Sequence, residues 1–144
     1  MSADLEADSE TEAGSAPAAD APPARRVVLV VEDDPYAARL IVKALDREPA
    51  QVEVAGDARE AIAILSRAQP SVILMDVKLP GTDGVALTTL LKANPTLRHI
   101  PVVMLTSDAT RETIARSMSA GAAGFIVKPF DRAALLAKLS RYLA

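Results

Sequence analysis

Residues 27–35 read V-V-L-V-V-E-D-D-P, and this stretch decides the fold. Five β-branched or aliphatic residues make a strand-length run with no polar alternation, which reads as a strand buried on both faces of a parallel sheet. Three acids follow at once, and then Asp34-Pro35, a helix cap with proline at the first helical position. A buried strand that turns directly into a capped helix is the opening of a βα unit.

Working outward, the same alternation repeats to the end of the chain. The runs Gln51 to Ala55, Val72 to Met75, Val102 to Leu105 and Phe125 to Val127 are further strands. Between them lie helical patterns with recognisable ends. In the first, Leu40, Ile41, Ala44 and Leu45 form an apolar stripe that stops before Pro49. Asp57 caps the second, with Ala58, Ala61, Ile62 and Leu65 inward. Gly84 to Ala93 is the third, ended by Asn94-Pro95, and Thr110 to Ala120 the fourth, ended by Gly121. Asp131 caps a fifth carrying Leu135, Leu136, Leu139 and Leu143. Five strands alternating with five helices predict an α/β fold with a doubly wound parallel sheet. Ligands of such folds gather at the carboxyl ends of the strands, beside the switch in strand order.

Composition sets the bounds. The chain has 144 residues, half of them hydrophobic, enough for one domain with a core of its own. There is no cysteine, which excludes a disulfide framework, a thiolate zinc site and a cysteine nucleophile. No apolar run is long enough to span a bilayer, and the N-terminus lacks the order of a signal peptide, so a cytoplasmic protein with no membrane contact is expected. The net charge of -3 hides a division: residues 1–24 carry six acids and no base. Residues 1–25, rich in Ala, Pro and Ser, read as a disordered acidic tail, and 26–144 as the folded domain. The domain's own balance, 15 bases against 13 acids, is too mild to argue for direct nucleic-acid binding.

At the strand ends the sequence places Glu32, Asp33 and Asp34, then Asp76, then Thr106 and Ser107, then Lys128. If the fold is right these meet in one pocket. Clustered carboxylates repel and call for a cation, and with only oxygen ligands on offer Mg²⁺ is the natural one. A metal, a hydroxyl and an amine around one carboxylate are what phosphoryl transfer needs. Asp76, on the strand that the others can ring, is the expected nucleophile.

The motifs V-V-E-D-D, I-L-M-D-V-K-L-P-G-T-D-G, V-V-M-L-T-S and G-A-A-G-F-I-V-K-P-F, in that order, resemble the response-regulator receiver (CheY-like) family of two-component systems, in its single-domain form. The likeness covers residues 26–144. It implies a flavodoxin-like sheet of strand order 2-1-3-4-5 and a phosphoprotein signalling role rather than a turnover enzyme. By resemblance Asp76 is the phosphoacceptor. Asp33, Asp76 and the backbone carbonyl of Lys78 ligate Mg²⁺, with Glu32 acting through water. Thr106 binds the phosphoryl group, Lys128 pairs with it, and the Lys128-Pro129 bond is cis. Phe125 matches the family's switch aromatic, moving with Thr106. Asp34, after the acidic pair, stays a helix cap. The implied partners are a histidine kinase or phosphotransfer protein upstream and a protein target on the face of the fourth helix, fifth strand and fifth helix, the domain itself being a monomer or weak dimer.

Lys78 and Asp108 are placed to pair across the mouth of the site as a gate against hydrolytic water. His99, without a partner in the sequence, is expected at the surface. An aspartyl phosphatase would resemble Asp-x-Asp at the nucleophile, and Lys78 occupies the second acid's place. Two other readings stand beside the main one: a degenerate receiver acting as a scaffold without phosphate, and a fragment of a longer DNA-binding regulator. Against the fragment, the fifth helix reaches Tyr142-Leu143-Ala144 with no linker begun, which favours a stand-alone protein.

Overall fold

A computed structural model describes residues 26–144; the stretch expected to be a disordered tail lies outside the described residues. The elements in chain order are β1 (Arg26–Val31), α1 (Pro35–Ala44), β2 (Ala50–Ala55), α2 (Ala58–Leu65), β3 (Val72–Asp76), β4 (Lys78–Leu79), β5 (Thr82–Asp83), α3 (Gly84–Ala93), β6 (Val102–Thr106), α4 (Arg111–Ser119), β7 (Gly124–Val127) and α5 (Arg132–Leu143). Five strands form one parallel sheet in the order β2-β1-β3-β6-β7, the doubly wound order expected. The order reverses between β1 and β3, and there the carboxyl ends leave a crevice.

Side chains along a strand point alternately to the two faces, so each buried strand feeds two cores. Leu29, Val31, Ile73, Met75, Val102 and Met104 pack on one side against α2 and α3. Val28, Val30, Val72, Leu74, Val103 and Leu105 pack on the other against Ile41 and Leu45 of α1 and Leu135, Leu139 and Leu143 of α5. Every residue of β3 and β6 is buried, which is why these runs carry no polar alternation. Among the described residues no helix is long and apolar enough to cross a membrane.

Each helix begins on a side-chain cap: Asp34, Asp57, Asp83, Thr110 and Asp131 accept hydrogen bonds from the first-turn N–H groups of α1 to α5 in turn. A cap of this kind stabilises by about 1 kcal/mol.

Two helical faces differ from expectation. In α2 the inward residues are Ala61, Ile64 and Leu65, while Ile62 is 52% exposed. In α1, Ala38 and Ile41 are buried and Leu40 is 49% exposed. Both helices carry more apolar residues than one face can cover, so pattern alone could not say which to leave out. The sequence reading also missed β4 and β5, an antiparallel hairpin of two residues per strand turned by Gly81 at φ 76°. α4 differs in kind from the other helices: its buried residues are Thr113 and Ser117, hydroxyls in place of aliphatics.

Candidate functional site

The carboxyl ends of β1, β3, β6 and β7 converge on a cleft of about 270 Å³ lined by Glu32, Asp33, Asp76, Lys78, Thr106 and Lys128 among others. Asp76 is the last residue of β3 and lies between β1 and β6, so it occupies the centre. Glu32 and Asp76 are buried at 2% and 7% exposure, whereas Asp33 is exposed. One carboxylate oxygen from each of the three lies within 4.8 Å of the others. Two unit charges at that range repel by about 3 kcal/mol at an effective dielectric near 20.

Lys128, carried in from the end of β7 just before a cis peptide bond to Pro129, offsets part of this. Its Nζ donates to Glu32 Oε1 at 2.6 Å and lies 3.3 Å from Asp76 Oδ2. Burial disfavours the ammonium, but the hydrogen bond to Glu32 and the charge of Asp76 outweigh it and hold Lys128 above the usual lysine range. Glu32 is shifted upward as well, which in a carboxylate disfavours the charged form. Burial pushes its carboxyl above the ordinary value, Lys128 opposes the rise, and the Asp76 carboxylate adds to it. Three carboxylates against one ammonium leave negative charge in a site that offers only oxygen donors. Those are the donors that suit Mg²⁺. Glu32 is engaged with Lys128 and with the N–H of Asp34 at 3.3 Å. The donor set therefore fits a hard divalent cation.

Thr106 ends β6 at 3% exposure. Its hydroxyl donates to the Asp108 carbonyl at 2.9 Å and accepts from the Asp108 N–H at 2.8 Å. Phe125 is half-buried at the edge of the sheet, with Lys138 Nζ 5.6 Å from its ring centroid. His99 is exposed, and Asp34 caps α1. Lys78 and Asp108 are not joined: no ion pair links them among the described residues. The Asp108 carboxylate instead accepts from the N–H of Thr110 at 3.0 Å and the hydroxyl of Thr113 at 2.8 Å. These hydrogen bonds, with a smaller contribution from the charge of Lys78, hold its carboxyl below the usual range. The expected gate thus lacks its direct contact, because α4 has claimed the acid.

Two neighbours, read in the sequence only as the start of the third helix, bear on the site. Asp83 caps α3 through Oδ1 and pairs with Arg116 of α4 at 2.9 Å through Oδ2. Gly84 presses against the end of β3, where an added Cβ would stand 1.9 Å from the Asp76 carbonyl oxygen. The signal for both was the Asp-Gly pair ahead of an apolar periodic run, a cap signature. Beside the cleft, and sharing Glu32 and Lys128 with it, runs a mostly apolar groove of about 280 Å³ whose walls include Tyr36, Leu40, Pro129 and Phe130.

Comparison with known proteins agrees with this geometry. The family profile described as response regulator receiver domain matches residues 28–140. The chain is 38% identical over 112 residues to the response regulator PleD of Caulobacter vibrioides, covering 78% of this chain and 25% of that protein, so it spans a quarter of that relative's length. It is 34% identical over 119 residues to the chemotaxis protein CheY-3 of Vibrio cholerae, covering 81% of this chain and 92% of that protein. A solved structure of the receiver domain of the sensor histidine kinase PA1611 from Pseudomonas aeruginosa, with a magnesium ion in its active site cleft, superposes at a TM-score of 0.75. That pair shares 31% identity over 83% of this chain and 98% of the other.

Proposed function

The chain belongs to the response regulator receiver family, and from that membership we propose that it accepts a phosphoryl group on Asp76 with Mg²⁺ and passes the signal to a protein partner. The observation that carries the proposal is the surrounding of Asp76: a buried carboxylate at the centre of the cleft, within 4.8 Å of two others and 3.3 Å from an ammonium.

Asp33 and Asp76, with the backbone carbonyl of Lys78 and Glu32 through water, would hold Mg²⁺, which when bound would supply positive charge for the phosphoryl oxygens. An Asp76 oxygen attacks phosphorus as the P–N bond of a donor phosphohistidine breaks. The histidine nitrogen keeps that electron pair and takes up a proton. Lys128, 3.3 Å from Asp76 Oδ2, neutralises one phosphoryl oxygen in this reading, and Thr106, which lines the same cleft, donates its hydroxyl to another. The domain is consumed and regenerated as a phosphoacceptor; it does not turn over a substrate.

The donor is a histidine kinase or phosphotransfer protein. Its phosphohistidine must reach a nearly buried oxygen, and the apolar groove beside the cleft gives such a donor a surface continuous with the acceptor. Readout is assigned to α4, β7 and α5, where Met118 and Val127 are exposed at 47% and 39% and Phe125 is half-buried.

Incubation with acetyl phosphate and Mg²⁺, followed by a phosphate-affinity gel, tests this. The wild type should shift, and Asp76→Asn and a chelator-treated sample should not. Equal shift in Asp76→Asn would remove Asp76 from the role, and no shift in the wild type would favour a receiver that works without phosphate.

A further inference from the structure

We propose that Asp108 is a positioning residue that holds the Thr106 hydroxyl in its unphosphorylated arrangement by tying the β6–α4 connection to the first turn of α4. The inference rests on the reading of Thr106 as a phosphoryl-binding group and deepens it. A hydroxyl has a single proton to give, and here that proton goes to the Asp108 carbonyl at 2.9 Å. A phosphoryl group on Asp76 can recruit the proton only by taking it from Asp108. The two acceptors therefore compete, and whatever steadies residue 108 favours the unphosphorylated state.

Asp108 is steadied from both sides. Its own N–H donates to Thr106 Oγ1 at 2.8 Å, closing a reciprocal pair of bonds with the competing hydroxyl. Its carboxylate reaches forward to the Thr110 N–H and the Thr113 hydroxyl, at 3.0 and 2.8 Å. Thr113 is 7% exposed and passes the chain on, since the Ser117 hydroxyl donates to the Thr113 carbonyl at 2.9 Å. These two hydroxyl residues are also the ones α4 buries. A helix anchored by hydroxyls in place of a deep aliphatic stripe has little apolar burial to resist displacement. One side chain thus joins the hydroxyl that would sense phosphate to the element with the least apolar attachment, and bonds made in one state alone set the balance between states.

The test is beryllofluoride affinity, read from the bound ¹⁹F signal in the presence of Mg²⁺, on the full chain and four variants. Asp108→Ala removes both bonds of the tie and should bind beryllofluoride about fivefold more tightly, the population shift that losing one helix cap in one state gives, while Thr113→Val removes one of the two and should bind about threefold more tightly. Asp108→Asn and Thr113→Ser keep the acceptor and the hydroxyl, and should stay within twofold of the wild type. Thr113 stands away from the mouth of the cleft, so its variant separates a tie to α4 from an effect of charge at the entrance. If Asp108→Asn matches Asp108→Ala while Thr113→Val behaves as wild type, charge is the cause and the proposal is overturned. It is also overturned if all four variants stay within twofold. Should Thr113→Val fail to fold, Asp108→Ala against Asp108→Asn still decides. A wild type that binds no beryllofluoride would count instead against the phosphoacceptor reading.

Discussion

Lys128 balances more charge than it carries, since one ammonium faces the carboxylates of both Glu32 and Asp76. Removing it leaves Glu32, 1% exposed at its side chain, as a buried carboxylate with, among the described residues, only the Asp34 N–H to answer it. Lys128→Met should therefore cost about 1–3 kcal/mol at pH 7 in chelator-containing buffer. The pH dependence follows from the two shifts. Lys128 is raised above 10.5, so its contribution is complete below that pH and fades as pH climbs through the folded value. Glu32 is raised above 4.5, so its neutral form favours folding and this is lost as pH rises through the folded value, further in the variant than in the wild type. The gap between the two proteins should thus be widest near neutrality and close toward either end. Urea melts between about pH 5 and 11 would show it, and a gap that stays flat with pH would mean the pair contributes through packing alone.

At the scale of the element, α2 offers the sharpest check. Ile62 and Ile64 are chemically identical and two residues apart, yet one is 52% exposed and the other 7%. Ile64→Ala should destabilise by about 2–4 kcal/mol and Ile62→Ala by less than about 1, measured by the same denaturation. Equal losses would mean that the face is wrongly assigned. The helix shows where sequence reading stops. Of its eight residues, Ala58, Ala61, Ala63, Ile62, Ile64 and Leu65 are apolar, so several faces satisfy the period and only the position of the sheet chooses among them. The buried strands were legible for the opposite reason: β1, β3 and β6 have no polar face to misplace. The hairpin at residues 78–83 was not, because two-residue strands have no period to read. The tie between Asp108 and α4 was equally hidden. An acid two residues from the first-turn cap can face the cleft or the helix, and the choice depends on Thr113 being turned inward.

For the whole molecule, the strand order is what turns scattered acids into a site. Glu32 and Asp76 are separated by 43 intervening positions in sequence, and the parallel pairing of β1 with β3 brings their carboxylates together. That meeting place was legible from the fold class, whereas the balance of charge within it was not. The fold holds the cluster at a cost in the absence of a cation, which sets up opposite effects of one substitution under two conditions. Asp33 is exposed and its removal creates no cavity, so Asp33→Asn relieves repulsion and should leave the metal-free protein unchanged or up to about 1 kcal/mol more stable. In Mg²⁺ at a hundred times its dissociation constant, the wild type should gain about 2.7 kcal/mol by mass action. The variant, lacking a ligand, should gain much less, so the order of stability reverses between chelator and Mg²⁺. Thermal melts of both proteins in each buffer, at matched ionic strength, measure the crossing. If the wild type is no more stable in Mg²⁺ than in chelator, the cluster does not hold the ion, and the carboxylates must be balanced by protons instead.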